Sequence, residues 1–144
     1  MVAIDGSPVA MHALDEAMRM AKSQGAELIL AYAVEYPHIY VQDLGYDPPP
    51  ITEALLNDGR DVLAKAESLV KNRRIACGSI LVNNRDTTDS IAEQLQKLAD
   101  ECQADLVVLG THGRGGFKRL LLGSVAETFL RLSTRPVLLI PGKP

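Results

Sequence analysis

The sequence contains little of what metal-binding and disulfide-bonded proteins depend on. Among its 144 residues there are only two cysteines, Cys77 and Cys102. Both lie in apolar stretches, and neither has a Cys or His nearby at the spacing of metal ligands. Because a free cysteine packs as a small hydrophobic residue, we expect two structural, buried thiols and no metal site. Such thiols are typical of a reducing cytoplasm.

Long apolar runs and dense positive charge are also missing. No run approaches the roughly 18 residues that a membrane-spanning helix needs, and no secretion signal opens the sequence. The net charge is −3, and no Lys/Arg stripe provides the electrostatic footprint of nucleic-acid binding. We therefore expect a cytoplasmic protein with neither a membrane nor a nucleic acid as its partner. The sequence opens inside an apparent strand, so the first strand is short or its start lies upstream.

What is present is typical of one compact domain. Hydrophobic residues make up 47% of the chain and charged residues 23%, as in ordinary globular proteins. A domain most often has roughly 100–150 residues, and the sequence shows no internal repeat and no linker. We therefore predict a single domain over residues 1–144.

Strand and helix patterns alternate along the whole chain. Helices are predicted from Pro8 to Gly25, over 53–72, after Asp86 as N-cap, and over about 121–132; apolar strands are predicted at 2–4, 28–34, 75–82, 104–109 and 137–140. Residues 35–52 carry four of the eight prolines and are interpreted as a long surface loop. Alternation of this kind predicts an α/β fold: a Rossmann-like, open, parallel five-stranded sheet with helices on both faces.

A glycine-rich segment follows the fourth predicted strand. It runs Gly-Thr-His-Gly-Arg-Gly-Gly-Phe-Lys-Arg-Leu-Leu-Leu-Gly-Ser from Gly110 to Ser124. Glycine permits positive φ and a close approach of the backbone, so that N–H groups can converge on phosphate oxygens. The start of the next helix would add further N–H donors and its positive dipole end. This segment is therefore predicted to bind phosphate at the carboxyl edge of the sheet.

The spacing of these glycines differs from the common phosphate motifs. Neither the P-loop pattern nor the dinucleotide pattern Gly-x-Gly-x-x-Gly is present. Instead, Gly110, two residues, Gly113, nine residues, Gly123 and Ser124 resemble the nucleotide-binding motif of the universal stress protein family. The opening Val-Ala-Ile-Asp-Gly-Ser, the block Ala-Asp-Leu-Val-Val-Leu-Gly-Thr-His-Gly from Ala104, and the ending Arg-Pro-Val-Leu-Leu-Ile-Pro carry the same resemblance over nearly the whole chain.

The resemblance implies a five-stranded sheet of the adenine nucleotide alpha hydrolase type, a homodimer formed through the last strand, Val137–Ile140, and bound ATP or AMP. Mg²⁺ or Mn²⁺ would be held through the nucleotide and water, because no carboxylate cage is visible. The implied nucleotide-binding residues are Ala3, Asp5, Ala33, Leu109, Gly110, Gly113, Arg114, Gly123, Ser124 and Val125. Asp5 would meet the ribose or the adenine, the glycines and Ser124 the phosphates, and the apolar residues the base.

Three functions remain open on these residues. The leading hypothesis is a stress-response or regulatory module that binds an adenine nucleotide and hydrolyses it slowly or not at all. The first alternative is a weak ATPase or adenylate-transfer enzyme, and the second is a dimeric interaction module with an empty site. His112 is not assigned a catalytic role, since no partner that would orient it is evident. One departure from many relatives is Arg85-Asp86-Thr87, where they carry a Gly-x-Pro turn.

Overall fold

The structure is a computed structural model, and it describes residues 1–36, 49–83, 88–114 and 122–142. The described residues form five strands and four helices in strict alternation. In chain order these are β1 (Val2–Ala3), α1 (Pro8–Gln24), β2 (Leu28–Ala33), α2 (Pro49–Asn72), β3 (Cys77–Val82), α3 (Ile91–Glu101), β4 (Val107–Gly110), α4 (Ser124–Leu132) and β5 (Val137–Ile140). None of these helices is both long and apolar enough to span a membrane.

All five strands run parallel in one sheet, in the order β3-β2-β1-β4-β5. The central strand β1 is very short: Val2 pairs with Leu30 on one side and with Val108 on the other. The chain therefore winds outward from β1 in one direction through β2 and β3, and in the other through β4 and β5. The predicted α/β fold with a parallel five-stranded sheet is confirmed.

Two hydrophobic cores cover the two faces of the sheet. Helices α1 and α2 pack on one face, through buried residues that include Leu14, Met18, Leu63 and Val70. Helices α3 and α4 pack on the other face, through Leu95, Leu98, Ala99 and Phe129. Because both faces are covered, the strands are nearly continuous apolar runs instead of alternating ones.

Local signals set the ends of α1 as predicted. Ser7 is the N-cap and accepts a hydrogen bond from the Ala10 N–H at 3.2 Å, and Pro8 occupies the first helical position. Gly25 ends the helix with φ of 64°, a left-handed conformation that glycine adopts without a steric penalty.

Other predicted boundaries need correction. Helix α2 begins at Pro49 instead of residue 53, because proline is tolerated in the first turn, where its missing N–H has no helical partner. Helix α3 is capped by Ser90, not by the predicted Asp86, which lies outside the described residues. Ser90 and Glu93 form a capping box, in which each side chain accepts from the other residue's backbone N–H. The thiols of Cys77 and Cys102 are free but only half-buried.

Candidate functional site

The strand order reverses between β1 and β4, and the candidate site lies at the carboxyl ends of these two strands. In open α/β sheets such a reversal opens a crevice, because the following helices depart to opposite faces. Asp5 follows β1, Gly110 ends β4, and Gly123 and Ser124 begin α4. The topology therefore gathers at one edge residues that are more than a hundred positions apart in the sequence.

The ends of the glycine-rich segment are tied together by backbone hydrogen bonds. The Thr111 N–H donates to Ile140 O at 2.9 Å, and the Gly123 N–H donates to Thr111 O at 2.7 Å. A Cβ on Gly123 would stand 3.1 Å from the same Thr111 oxygen. Gly123 is therefore needed for the close approach that joins the end of β4 to the start of α4. Residues 115–121, including Lys118 and Arg119, lie outside the described residues.

Glycine is required at these positions for space. The sequence analysis predicted positive φ there, and that prediction is wrong for Gly110, Gly113 and Gly123. Among the described glycines, only Gly6 and Gly25 have positive φ. A Cβ on Gly110 would meet Val9 Cγ1 at 2.9 Å and His112 O at 3.1 Å. A Cβ on Gly113 would stand 2.5 Å from Asp5 Oδ2. The backbone at Gly110 and Gly113 therefore packs so closely against Val9 and Asp5 that no side chain fits there without a shift.

Asp5 is the carboxylate at the centre of this edge. Its Oδ1 accepts from the Ser7 N–H at 2.8 Å, and its Oδ2 accepts from the Arg114 N–H at 3.0 Å. The Arg114 Nε also donates to the Asp5 backbone oxygen at 2.6 Å. One side chain therefore connects the turn after β1 to the glycine-rich loop after β4.

The Arg114 side chain extends toward α2. Its Nη2 lies 2.6 Å from Asp58 Oδ2, and its guanidinium carbon lies 5.7 Å from the centre of the Tyr32 ring, within range of a cation–π interaction. The Tyr32 hydroxyl donates to the same Asp58 oxygen at 3.1 Å. The hydrogen bond from Arg114 lowers the pKa of Asp58, while burial raises the pKa of Tyr32 to about 12.

A glycine inside α2 brings Asp58 to this position. A Cβ on Gly59 would stand 2.6 Å from Leu81 Cδ1 and 2.9 Å from the Tyr32 ring, so α2 packs closer to the sheet than any other residue would allow. Gly6, with φ of 82°, faces the same helix, since its Cβ would meet Val62 at 3.0 Å and Arg114 Nη2 at 3.6 Å. The sequence analysis assigned no role at this edge to Gly59, Asp58 or Tyr32.

The N-terminus of α4 faces this edge with its backbone exposed. Its N-cap is Gly123, and no side-chain hydrogen bond caps it among the described residues. Ser124 and Val125 are both exposed. The first N–H groups of a helix have no partner within the helix and carry its positive dipole end. This terminus can therefore accept an anion, with the Ser124 hydroxyl beside it.

The three apolar residues assigned to a base pocket lie on one face of the sheet. Ala3 and Ala33 are half-buried and pack against the α3–α4 core, which contains Leu109. Ala3 pairs with Ala31, two residues before Ala33, and its neighbour Val2 pairs with Val108. The structure thus brings Ala3, Ala33 and Leu109 to adjacent strands, with small side chains on two of the three.

The edge was also searched for a catalytic residue and for a group of metal ligands. The His112 Nδ1 lies 3.0 Å from Thr111 Oγ1, a contact to a side chain that is itself part of the loop. Within the described ranges, the Cys, His, Asp and Glu side chains form no group of three that could hold a metal ion. Arg85, at the departure from the relatives' Gly-x-Pro turn, falls outside those ranges.

The fold and this edge together define a parallel α/β domain with a glycine-rich loop at its topological switch point. The model of the universal stress protein family matches residues 1–141. The universal stress protein YxiE of Bacillus subtilis is 30% identical, over 97% of this chain and 96% of its own length. The chain belongs to the universal stress protein family.

Solved structures agree with this assignment. A universal stress protein family member from Burkholderia pseudomallei has 36% identity and a TM-score of 0.75, over 97% of this chain and 94% of that one. A universal stress protein solved in complex with cAMP has 28% identity and a TM-score of 0.64, over 99% and 96%. At least one structural relative of this chain therefore binds an adenine nucleotide.

Proposed function

We propose that the protein binds an adenine nucleotide, ATP or AMP, and acts as a stress-response or regulatory module with slow or no hydrolysis. The observation that carries the proposal is the convergence of Asp5, the described ends of the glycine-rich loop and the uncapped start of α4 at one switch point. The relative in complex with cAMP supports the same ligand class. Anion, ribose and base would each meet a chemically suitable surface there.

The residues present fit such a ligand in their proposed roles. Gly110, Gly113 and Gly123 keep the backbone free of side chains around the α4 N-terminus, whose N–H groups and Ser124 hydroxyl would hold the phosphates, with Val125 beside them. Asp5 would accept a hydrogen bond from the ribose or the adenine, and Arg114 would hold Asp5 in place through its backbone N–H and its Nε. Ala3, Ala33 and Leu109 would border the base. Mg²⁺ or Mn²⁺ would arrive with ATP and be held by its phosphates and water.

The proposal extends to the assembly and its location. We propose that residues 1–144 form one cytoplasmic domain that pairs with a second copy through Val137–Ile140. In support, β5 is an edge strand: it pairs with β4 on one side, and Val137, Leu138 and Leu139 are only half-buried. An edge strand offers unpaired backbone groups to another chain.

The direct test is to denature freshly purified protein, identify any released nucleotide by chromatography, and titrate ATP and AMP into stripped protein. ATP or AMP at a concentration of one hundred times Kd should raise the unfolding free energy by about 2.7 kcal/mol. Guanine nucleotides are the control and should not raise it. Release of ATP or AMP, or saturable binding, supports the proposal. Absence of both would overturn it and favour the interaction module, whereas rapid turnover of ATP would favour the enzyme.

A further inference from the structure

Arg114 carries a positive charge beside the loop that is proposed to bind phosphates, yet its side chain has other partners. It is held by Asp58 at 2.6 Å, lies over the Tyr32 ring, and donates from Nε to the Asp5 backbone oxygen at 2.6 Å. Tyr32 belongs to the α1–α2 core, whereas Ala3, Ala33 and Leu109 belong to the opposite face of the sheet. The guanidinium therefore lies on the α2 side of the switch point.

The same residue fixes the carboxylate proposed to contact the nucleotide. The Arg114 N–H donates to Asp5 Oδ2 while its Nε donates to Asp5 O, so Arg114 contacts both the side chain and the backbone of Asp5. The N–H contact orients the carboxylate together with the Ser7 N–H, the Nε contact fixes the Asp5 backbone beside it, and further lone pairs remain on the carboxylate oxygens for a ligand. A planar guanidinium is suited to this role because its donors have a fixed geometry.

We propose that Asp58 is a positioning residue for the nucleotide site: by holding Arg114 on α2, it orients Asp5, and the Arg114 guanidinium does not itself bind phosphate. This inference rests on the proposed function. Gly59 makes these contacts possible. Because it has no side chain, α2 approaches the Tyr32 ring closely, and Asp58 comes within hydrogen-bonding distance of both Tyr32 and Arg114.

The two possible roles of Arg114 predict opposite effects of Asp58→Asn. If Asp58 positions Asp5 through Arg114, the loss of its charge loosens the carboxylate and weakens every ligand that Asp5 contacts. If Arg114 instead serves phosphate, Asp58 competes with the ligand, and its neutralisation strengthens the binding of AMP and ATP but not of adenosine. The comparison of ligands with and without phosphate therefore separates the two roles.

The experiment measures Kd for adenosine, AMP and ATP by calorimetry on the full chain. Asp58→Asn should weaken all three by the same factor, about threefold to fivefold, as expected for a half-exposed charge pair. Asp58→Glu, which keeps the carboxylate, should restore most of the affinity. Asp61→Asn, the same change at an exposed position one turn along α2, is the matched control and should leave all three Kd values unchanged.

A double-mutant cycle adds a measurement that a general loss of stability would not affect. In an Asp5→Asn background, Asp58→Asn should cause no further loss, because both changes act on the same contact. As a second variant, Arg114→Lys keeps the charge but loses the planar donors, and it should also weaken all three ligands. Tighter AMP and ATP binding by Asp58→Asn, or unchanged affinity, overturns the inference alone. No binding by the wild-type protein overturns the proposed function and this inference together.

Discussion

Gly113 lies so close to Asp5 that a Cβ on the glycine would stand 2.5 Å from the Asp5 carboxylate. No real Cβ contact is that short, so any side chain at 113 forces the carboxylate to move. The Arg114 N–H that donates to this carboxylate follows Gly113 directly in the chain. The close approach of residues 5 and 113 therefore leaves room only for glycine while the Asp5 carboxylate stays in place.

The first prediction concerns Gly113→Ala. The added methyl group should displace Asp5 and break its hydrogen bond from the Arg114 N–H, which lowers the unfolding free energy by an amount on the order of 1 kcal/mol and weakens nucleotide binding. Denaturant unfolding and calorimetry measure both effects. Gly78→Ala is the control, because its Cβ would make only an ordinary contact with Ile29 at 3.6 Å. An unchanged Kd in a folded Gly113→Ala protein would contradict the proposed role of the loop.

The second prediction concerns the hydroxyl at the start of α4. Ser124→Ala should weaken ATP and AMP binding by about 1 kcal/mol, because it removes one donor to phosphate but leaves the backbone N–H groups. Adenosine affinity should not change, since adenosine has no phosphate. Ser68→Ala, at an exposed position of α2, is the control. Equal losses for adenosine and ATP would place the hydroxyl elsewhere in the site.

The third prediction concerns Gly59→Ala. Glycine in a helix interior is usually less stable than alanine by about 1 kcal/mol, so the general expectation is stabilisation. Here the new Cβ would meet the buried Tyr32 ring at 2.9 Å and Leu81 at 2.6 Å, so we expect destabilisation of about 1–3 kcal/mol. Thermal unfolding measures the change, with Lys65→Ala as an exposed control on the same helix. A more stable Gly59→Ala protein would show that α2 does not pack this tightly.

The fourth prediction concerns the titration of Tyr32. Burial raises the pKa of its phenol from 10.0 to about 12, so the folded state holds this proton more strongly than the unfolded state does. The stabilising contribution is complete below pH 10 and is lost as the pH rises toward 12. Tyrosinate absorbance should show one late-titrating phenol that is absent from Tyr32→Phe. If all phenols titrate together in the folded protein, Tyr32 is not buried as described.

Features set by neighbours in the chain could be predicted from the sequence. Ser7, Pro8 and Gly25 mark the ends of α1 by local backbone chemistry, and the alternation of apolar runs with helical periods gave the parallel sheet. The capping box of Ser90 and Glu93 is an equally local signal, but the N-cap was predicted at Asp86 instead. The start of α2 was missed because proline was interpreted as a loop residue when it stands in a first turn.

Features set by distances between elements could not be predicted. The glycine spacing indicated the family, which is confirmed, and the described part of the loop lies at the carboxyl edge of the sheet as predicted. The positive φ predicted for the glycines at 110 and 113 was wrong, and the crowding by Val9 and Asp5 was missed because it depends on how β1, β4 and α1 pack. Likewise, nothing in the spacing of Asp58 and Arg114 indicates that they meet, since their contact depends on Gly59 bringing α2 onto the sheet.

The hydrogen bonds between Asp5 and Arg114 also have a consequence for the order of folding. They join residues 109 positions apart in the chain, whereas β2, α2 and β3 form a contiguous unit of neighbouring segments. Because closing a long loop has an entropic cost, we expect the switch point to assemble late, when β4 docks beside β1. A nascent chain that ends before β4 therefore contains β1, β2 and β3 but lacks the switch point, so the proposed nucleotide binding would require the completed fold.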